Sequence, residues 1–296
     1  MTTTSAEDGS FSFESIPYGT WHVREIEQPA GFVLDDTIYP VTIGADGQVV
    51  EIKIVNKYVR GNIHLTKVDS EYPDNKLTGA TFEVYKDSNA NGKLDSGDEL
   101  LGTLTEKEKG EYSMSDLFHG RYFVKETKAP EGFVLDTGVY EVMIDTNGKT
   151  CEVENKAGVG FINEAMRGNL KIVKTSSDGK VKGFAFRITG ANGYDIILET
   201  NDKGEIVIDG IRIGDYTISE VSNSASAMYV LPADKKATVK TGSTTIVEMH
   251  NVLRDTPKTG DATNLPLLYA LAGLSAVGIA VTAFVGFKKK KKEGND

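Results

Sequence analysis

One stretch of sequence occurs three times with the same skeleton. Residues 110–126 read GEYSMSDLFHGRYFVKE, residues 9–25 read GSFSFESIPYGTWHVRE, and residues 204–220 read GEIVIDGIRIGDYTISE. Each copy begins with a glycine, ends with a glutamate 16 residues later, and has a second glycine six residues before that glutamate. Three coincident spacings with matching residue types indicate a tandem array of related units.

The segments around these stretches alternate between apolar and polar residues. Thr81-Phe82-Glu83-Val84-Tyr85 and Tyr140-Glu141-Val142-Met143-Ile144 are examples, and Gly, Asp and Asn separate such runs. A period of two bounded by turn residues predicts antiparallel strands with one buried face. Units of roughly 85 to 105 residues with about seven such strands fit small immunoglobulin-like β-sandwiches. The fold class expected up to residue 253 is therefore all-β, as tandem β-sandwiches.

The motifs Arg60-Gly61-Asn62 and Arg167-Gly168-Asn169 each open a new strand and mark the domain junctions. We expect complete sandwiches at 58–166 (the middle repeat) and at 167–253 (the C-terminal repeat). Residues 1–57 (the N-terminal segment) match only the second part of a repeat. They also begin with a polar, acidic stretch that has no apolar core of a signal peptide. We therefore expect the sequence to be a fragment whose signal peptide lies outside it.

Composition excludes several classes of function. The chain has 296 residues, 39% of them hydrophobic, and a net charge of −10, which suits a globular protein and disfavours nucleic acid as a partner. One cysteine and four histidines exclude a disulfide framework, Cys/His metal clusters and a histidine-based hydrolase. No phosphate-binding loop or nucleophile elbow is found, so we expect no enzyme.

Each complete repeat carries a lysine, a glutamate and an asparagine on strand faces that are otherwise apolar. Lys67 follows Ile63 and Leu65 in alternation, and Lys174 follows an equivalent apolar pair. Two interpretations are open for these polar residues. Either the lysine reaches the rim of the sandwich and the other two form hydrogen bonds, or the three form a reactive group. The residues concerned are Lys67, Glu126 and Asn163 in the middle repeat, and Lys174, Glu220 and Asn251 in the C-terminal repeat.

The asparagine of the middle repeat has two candidates. Asn155 and Asn163 both end a strand with inward parity. Asn163 is preferred because it precedes Lys174 by 11 residues, as Asn56 precedes Lys67. Asn155 stays open as the alternative.

The reactive interpretation is an intramolecular isopeptide bond. Burial lowers the pKa of a lysine and raises that of a glutamate, so the pair can exchange a proton and become neutral. The free amine can then attack the asparagine side-chain carbonyl, while the protonated glutamate polarises the amide and relays protons as ammonia leaves. Such a bond would cross-link the first strand of a repeat to its last.

The pattern Tyr122-x-Val124-x-Glu126-x-x-Ala129-Pro130-x-Gly132-Phe133 resembles the E-box of the collagen-adhesin B-type (CnaB, prealbumin-like) repeats of Gram-positive pilins and adhesins. This resemblance covers residues 1–253. It implies prealbumin-like sandwiches with Lys–Asn isopeptide bonds, and Glu126 and Glu220 as the catalytic proton relays.

The C-terminal sequence resembles the sortase sorting signal of Gram-positive surface proteins. Thr256-Pro257-Lys258-Thr259-Gly260 precedes an uncharged apolar run at 265–287 and then five lysines. The run is long enough for one transmembrane helix, and the lysines would hold its end in the cytoplasm. The resemblance implies sortase cleavage between Thr259 and Gly260 and attachment to peptidoglycan. Thr256 stands where that signal usually has Leu, which leaves the sortase class open.

A calcium site is a further candidate. The loop residues Asp87, Asn89, Asn91 and Asp98 resemble the spacing of an EF-hand loop, but no helices flank them and position 12 is Asp rather than Glu. The alternative is a turn rich in Asx residues between two strands. No other cofactor is expected.

The sequence therefore predicts a cell-surface stalk, adhesin or accessory pilin subunit, anchored covalently to the cell wall after a transient stay in the membrane. Two alternatives remain. The repeats could bind a host extracellular-matrix or polysaccharide ligand directly, or they could carry an upstream hydrolase domain.

Overall fold

The computed structural model describes residues 1–255, so the sorting-signal residues 256–260 and the apolar run at 265–287 lie outside the described residues. Within residues 1–255 the secondary structure is β-strand apart from one short 3₁₀ turn, Ala191–Gly193, which confirms the all-β prediction. No helix in this part of the chain has the length and hydropathy to cross a membrane. The chain divides into two compact units between Met166 and Arg167.

The N-terminal segment contains two small sheets and no closed core. Each sheet is one antiparallel pair, β1 with β3 and β2 with β4. None of residues 1–58 is buried. Trp21 is 40% exposed, whereas its counterpart Tyr122 in the middle repeat is 1% exposed. The strands are β1 (Gly19–Val23), β2 (Phe32–Val33), β3 (Tyr39–Ile43) and β4 (Lys57–Tyr58).

The middle repeat is a sandwich of two sheets. One sheet has the order β11-β10-β6-β7, and the other has the order β12-β5-β9-β8 with β13 also paired to β5. Leu65 from one sheet and Val124 from the other belong to the same buried cluster, so the alternating apolar residues form the core between them. The strands are β5 (Arg60–Asp69), β6 (Thr81–Lys86), β7 (Glu99–Thr103), β8 (Thr105–Glu108), β9 (Glu111–Phe118), β10 (Gly120–Lys128), β11 (Val139–Ile144), β12 (Thr150–Glu152) and β13 (Phe161–Asn163).

The C-terminal repeat has the same architecture. Its two sheets have the orders β17-β14-β21-β19 and β16-β15-β18-β20. Ile172 and Ile218, one from each sheet, are fully buried in the shared core. The strands are β14 (Arg167–Ser176), β15 (Ala185–Thr189), β16 (Asp195–Glu199), β17 (Glu205–Arg212), β18 (Gly214–Val221), β19 (Tyr229–Val230), β20 (Lys235–Val239) and β21 (Thr244–Leu253).

In both complete repeats the closing strand lies parallel to the opening strand. In the C-terminal repeat, β21 runs beside β14 without a break from Asn169 to Ser176. In the middle repeat the closing strand has two pieces, β12 and β13, which pair with different parts of β5. The first and last strands of each repeat are therefore neighbours in space.

The first glycine of the recurrent stretch is required by a close approach to the lysine. Gly110 and Gly204 have φ of 70° and 76°, in the left-handed region that favours glycine. A Cβ at Gly110 would lie 2.9 Å from the carbonyl oxygen of Lys67, and one at Gly204 would lie 2.7 Å from that of Lys174. Each glycine also accepts a 2.7 Å hydrogen bond from the lysine N–H, so it fixes the backbone of the opening strand.

A second left-handed position occurs four residues before the second glycine of each stretch. It is occupied by Ser15, Asp116 and Gly210, with φ of 56°, 64° and 63°. The amide of Asp116 is held by the Asn62 side chain at 3.2 Å, and the amide of Gly210 by that of Asn169 at 3.0 Å. The Arg-Gly-Asn motif therefore secures this bend in both complete repeats.

The left-handed backbone at Asp116 gives the first prediction. A β-branched residue is disfavoured there by roughly 1–2 kcal/mol, whereas glycine is not. We expect Asp116→Val to lower the midpoint of guanidinium unfolding of the middle repeat, and Asp116→Gly to leave it close to that of the parent chain. Equal midpoints for the two variants would contradict the assigned geometry.

Candidate functional site

Lys67 lies inside the middle repeat. Its side chain is fully buried, so the amine does not reach the rim of the sandwich. Nζ donates a 3.0 Å hydrogen bond to the carbonyl oxygen of Phe161 and lies 5.3 Å from the centre of that ring. Phe161 is the register partner of Lys67 across the parallel pair β5–β13. The amine is thus drawn towards the closing strand.

Asn163 lies on the same closing strand, two residues beyond Phe161 and opposite Asp69. Since side chains two residues apart share a face of a strand, Asn163 faces the same interior as Lys67. Its Nδ2 donates a 2.8 Å hydrogen bond to Oε2 of Glu126 and a second to the carbonyl of Val134. Strands β5, β10 and β13 therefore bring together the three residues that the sequence selects.

Two oxygens of this group have no hydrogen-bond partner. Oε1 of Glu126 and Oδ1 of Asn163 are buried and unpaired. A buried polar atom without a partner typically costs about 1–3 kcal/mol. The unpaired Oδ1 leaves the side-chain carbonyl of Asn163 without a donor, beside a buried carboxyl group that could supply one when protonated.

Burial shifts both ionisable groups of the site towards their neutral forms. Burial lowers the pKa of Lys67 from 10.5 to about 8, against the opposing attraction of Glu126, Asp136 and Asp69. Burial also raises the pKa of Glu126, despite the hydrogen bonds from Asn163 and Asp136. The two pKa values therefore approach each other, which makes proton transfer from the amine to the carboxylate easier than in water.

The C-terminal repeat has an equivalent group. Lys174, Glu220 and Asn251 are buried, the most exposed being Glu220 at 8%. Asn251 lies opposite Ser176, two residues beyond Lys174, which reproduces the register of the middle repeat. Its Nδ2 donates a 2.7 Å hydrogen bond to Oε1 of Glu220. Burial lowers the pKa of Lys174 and raises that of Glu220.

The N-terminal segment contains the acid and amide without the lysine. Asn56 donates through Nδ2 to both carboxylate oxygens of Glu25 at 2.8 Å. Both residues are half-buried. The strand that bears the lysine in the two complete repeats has no counterpart among the strands of residues 1–58.

Asn155 makes a different set of contacts from Asn163. It lies in the break between β12 and β13, where its Oδ1 accepts from the amide of Ile162 at 2.6 Å. Its Nδ2 donates to the carbonyl of Ile162 at 2.8 Å and to Oδ2 of Asp136 at 2.6 Å. Both ends of the Asn155 side-chain amide are thus hydrogen-bonded, whereas Oδ1 of Asn163 has no protein donor.

Asp136 is part of the site and was missed by the sequence analysis. Its amide donates a 2.8 Å hydrogen bond to Oε2 of Glu126, and its carboxylate accepts from Tyr140 at 2.8 Å and from the amide of Gly138. Burial alone would raise the pKa of Asp136, but the hydrogen bonds from Asn155, Gly138 and Tyr140 lower it. The repeated sequence Phe-Val-Leu-Asp at 32–35 and 133–136 was the available signal.

The calcium candidates form a tight turn whose oxygens bind backbone amides. Asp87 accepts from the amides of Asn91 and Gly92, and Asp98 accepts from those of Ser88 and Asp95. Within residues 1–255, no group of three or more His, Cys, Asp and Glu side chains is arranged to hold a metal ion. Asn89 and Asn91 donate their side-chain amides to Asp95, as in an Asx-rich turn.

The buried amine gives a pH-dependent prediction for a middle repeat that cannot form its cross-link. In Asn163→Ala, Lys67 keeps its low folded pKa, about 8 against 10.5 for the ordinary group. Between these values the unfolded chain binds more protons than the folded chain, so stability rises with pH. We expect the urea midpoint of the middle repeat to increase from pH 8 to pH 10.

The matched control is the double variant Asn163→Ala/Lys67→Met, which should lack this increase. An identical pH dependence in the single and double variants would mean that Lys67 titrates normally, against the buried environment described above.

Three parts of the chain match one domain family. Residues 1–58, 61–157 and 168–253 match the family described as SpaA, prealbumin-like fold domain. The trypsin-resistant surface T6 protein of Streptococcus pyogenes serotype M6 is 26% identical over 204 residues, which cover 58% of this chain and 35% of that protein.

One solved structure of clearly similar fold comes from Bacillus anthracis. The Bacillus anthracis TIE protein is 24% identical, with a TM-score of 0.61, over 85% of this chain and 45% of that one. A streptococcal ancillary pilin is 21% identical over 81% of this chain and 77% of that one, with a TM-score of 0.30. The chain thus spans less than half the length of the T6 and TIE proteins. Because the three matches to one family cover most of the chain, it belongs to the SpaA-type prealbumin-like fold domain family.

Proposed function

We propose that this chain is part of a cell-surface stalk whose complete repeats cross-link themselves by Lys–Asn isopeptide bonds. The observation that carries the proposal is the same in both repeats. A buried lysine on the opening strand and a buried asparagine on the closing strand share one interior face, with a buried glutamate hydrogen-bonded to the asparagine. Each group also leaves two buried oxygens without a protein donor, for which a catalytic role is an explanation.

The proposed reaction balances within the site. The ammonium of Lys67 gives one proton to the carboxylate of Glu126, and the free amine attacks Cγ of Asn163. A bond forms between Nζ and Cγ, and the bond from Cγ to Nδ2 breaks. Glu126 donates to the carbonyl oxygen as charge develops there and relays one amine proton to the departing nitrogen. The products are a secondary amide, one ammonia molecule and a protonated Glu126.

The fold supplies the conditions that this reaction needs. Fixed placement on adjacent strands replaces a bimolecular encounter, which can contribute several kcal/mol to the lowering of a barrier. Burial excludes water, which would otherwise keep the amine charged. Each group reacts once, so the chain is not an enzyme that turns over a substrate.

The bond would reinforce a chain that has a single cysteine. A link between Lys67 and Asn163 closes a loop of roughly 100 residues, for which chain-entropy estimates give about 4–5 kcal/mol of stabilisation. A force applied to the ends of the repeat would load this covalent bond rather than the hydrogen bonds between strands. Resistance to proteolysis would follow, a property that the name of the T6 relative states for that protein.

Anchoring is the second part of the proposal. The signal Thr256-Pro257-Lys258-Thr259-Gly260, the apolar run at 265–287 and the lysines after it support sortase cleavage between Thr259 and Gly260. The apolar run would hold the chain in the membrane as a helix until cleavage. The threonine would then be joined to peptidoglycan, with the repeats extending from the wall as a stalk, adhesin or accessory pilin subunit.

Intact mass tests the cross-links directly. We expect the full chain to be lighter than its sequence by two molecules of ammonia. Glu126→Gln and Glu220→Gln should each recover the mass of one ammonia, because glutamine fills the same space but cannot relay a proton.

The matched control is Glu131→Gln, since Glu131 is an exposed residue in the loop after β10. It should keep both losses. A parent chain with its full sequence mass would contradict the cross-linking proposal.

A further inference from the structure

One position in the repeats breaks an otherwise shared pattern. The sequence after the glutamate reads Phe-Val-Leu-Asp at 32–35 and at 133–136, but Tyr-Val-Leu-Pro at 229–232. The register equates these segments, because their aromatic residues pair with the residue two beyond the asparagine. The pairs are Phe32 with Tyr58, Phe133 with Ala165, and Tyr229 with Leu253. Asp35, Asp136 and Pro232 therefore occupy the same place.

The backbone N–H at this place holds the glutamate wherever the residue is an aspartate. Asp35 donates to Oε2 of Glu25 at 2.7 Å, and Asp136 donates to Oε2 of Glu126 at 2.8 Å. Proline has no N–H to donate. In the C-terminal repeat, Oε2 of Glu220 is correspondingly buried without a partner.

The two complete repeats thus orient their glutamates differently. Glu126 receives two hydrogen bonds on Oε2, one from Asn163 and one from Asp136, so its carboxylate is fixed from two directions. The loop that carries Asp136 is itself held by Tyr140 and Asn155. Glu220 receives its hydrogen bond from Asn251 on Oε1 and lacks the second anchor.

The contacts of the two lysines also differ, again in favour of reaction in the middle repeat. Lys67 donates to Phe161, which belongs to the closing strand. Lys174 donates instead to the carbonyl of Thr175, its own neighbour on the opening strand, and lies 4.0 Å from the ring centre of Phe184. The ring at 4.0 Å stabilises the ammonium form of Lys174, which cannot act as a nucleophile, more strongly than Phe161 at 5.3 Å stabilises that of Lys67.

We propose that residues 136 and 232 are positioning residues for cross-linking in the middle and C-terminal repeats. The backbone N–H, present at Asp136 and absent at Pro232, sets the rate of cross-linking in each repeat. The middle repeat then closes its bond before the C-terminal repeat. This inference rests on the proposed isopeptide chemistry.

A pulse-chase experiment tests the order. The full chain is synthesised in a cell-free reaction during a short isotope pulse, quenched in acid at intervals, and mapped by tryptic mass spectrometry. Sampling extends well beyond the ~10 s that a ribosome needs to pass from one repeat to the next. We expect the linkage in the middle repeat to form about tenfold faster than that in the C-terminal repeat, as the loss of one hydrogen bond to a charged group suggests.

Reciprocal variants identify the cause. Pro232→Ala restores an N–H and should accelerate linkage in the C-terminal repeat about tenfold, whereas Asp136→Pro should slow linkage in the middle repeat by a similar factor. Asp136→Ala keeps the N–H but loses the carboxylate contacts with Tyr140 and Asn155, so its rate should fall between those of the parent chain and of Asp136→Pro. In each variant the other repeat serves as an internal control and should keep its parent rate.

The outcomes separate this inference from the proposed function. Absence of linkage from both repeats of the parent chain would refute the isopeptide chemistry itself. Linkage at equal rates in the two repeats, or rates unaffected by Pro232→Ala, would overturn the positioning role alone. Melting curves of Pro232→Ala in a Lys174→Met chain, whose C-terminal repeat cannot cross-link, report any change in folding separately from the rate. If Asp136→Pro fails to fold, the linkage rate of Pro232→Ala still tests the positioning role.

Discussion

The structure depends on the parallel pairing of the opening and closing strands. The pairing of β14 with β21, and of β5 with β12 and β13, makes neighbours of residues that are far apart in sequence. In both repeats this register places the asparagine of the closing strand opposite the residue two positions after the lysine of the opening strand. The glycine that starts each recurrent stretch supports this arrangement, because only glycine allows the backbone to approach the lysine carbonyl so closely. The N-terminal segment lacks an opening strand and has neither the pairing nor a buried core.

This pairing creates an environment that is costly for charges. Burying a lysine and a glutamate as ions demands desolvation that their mutual attraction often fails to offset. Burial lowers the pKa of Lys67 and raises that of Glu126, which brings the neutral pair closer in free energy to the ion pair. In the proposed reaction the charges disappear altogether, since an amine and an amide become a single secondary amide. The same burial that disfavours the ions therefore favours the bond.

The sequence was sufficient for the fold class and for the lysine, glutamate and asparagine of each site. Spacing between glycine and glutamate revealed the repeats, and alternation placed Lys67, Glu126 and Asn163 on interior faces, where the structure also has them. Asn155 could not be separated from Asn163 by parity, because the break between β12 and β13 shifts the register and parity carries no information across a loop. Asp136 was missed because it holds Glu126 through a backbone N–H, which a residue type does not signal directly; the repeated Phe-Val-Leu-Asp was the available indication. The calcium-like spacing of Asp87 and Asp98 could not reveal that backbone amides occupy their oxygens.

The central claim is that Lys67 and Asn163 are joined, and tandem mass spectrometry of a tryptic digest tests it most directly. The account predicts one branched species in which peptide 61–76, uncut after Lys67, is linked to peptide 157–167 with the loss of one ammonia. A branch to peptide 150–156 would identify Asn155 as the partner instead. Free peptides 61–67 and 157–167 at their full sequence masses would contradict the account, because trypsin cuts after Lys67 only when its amine is unmodified.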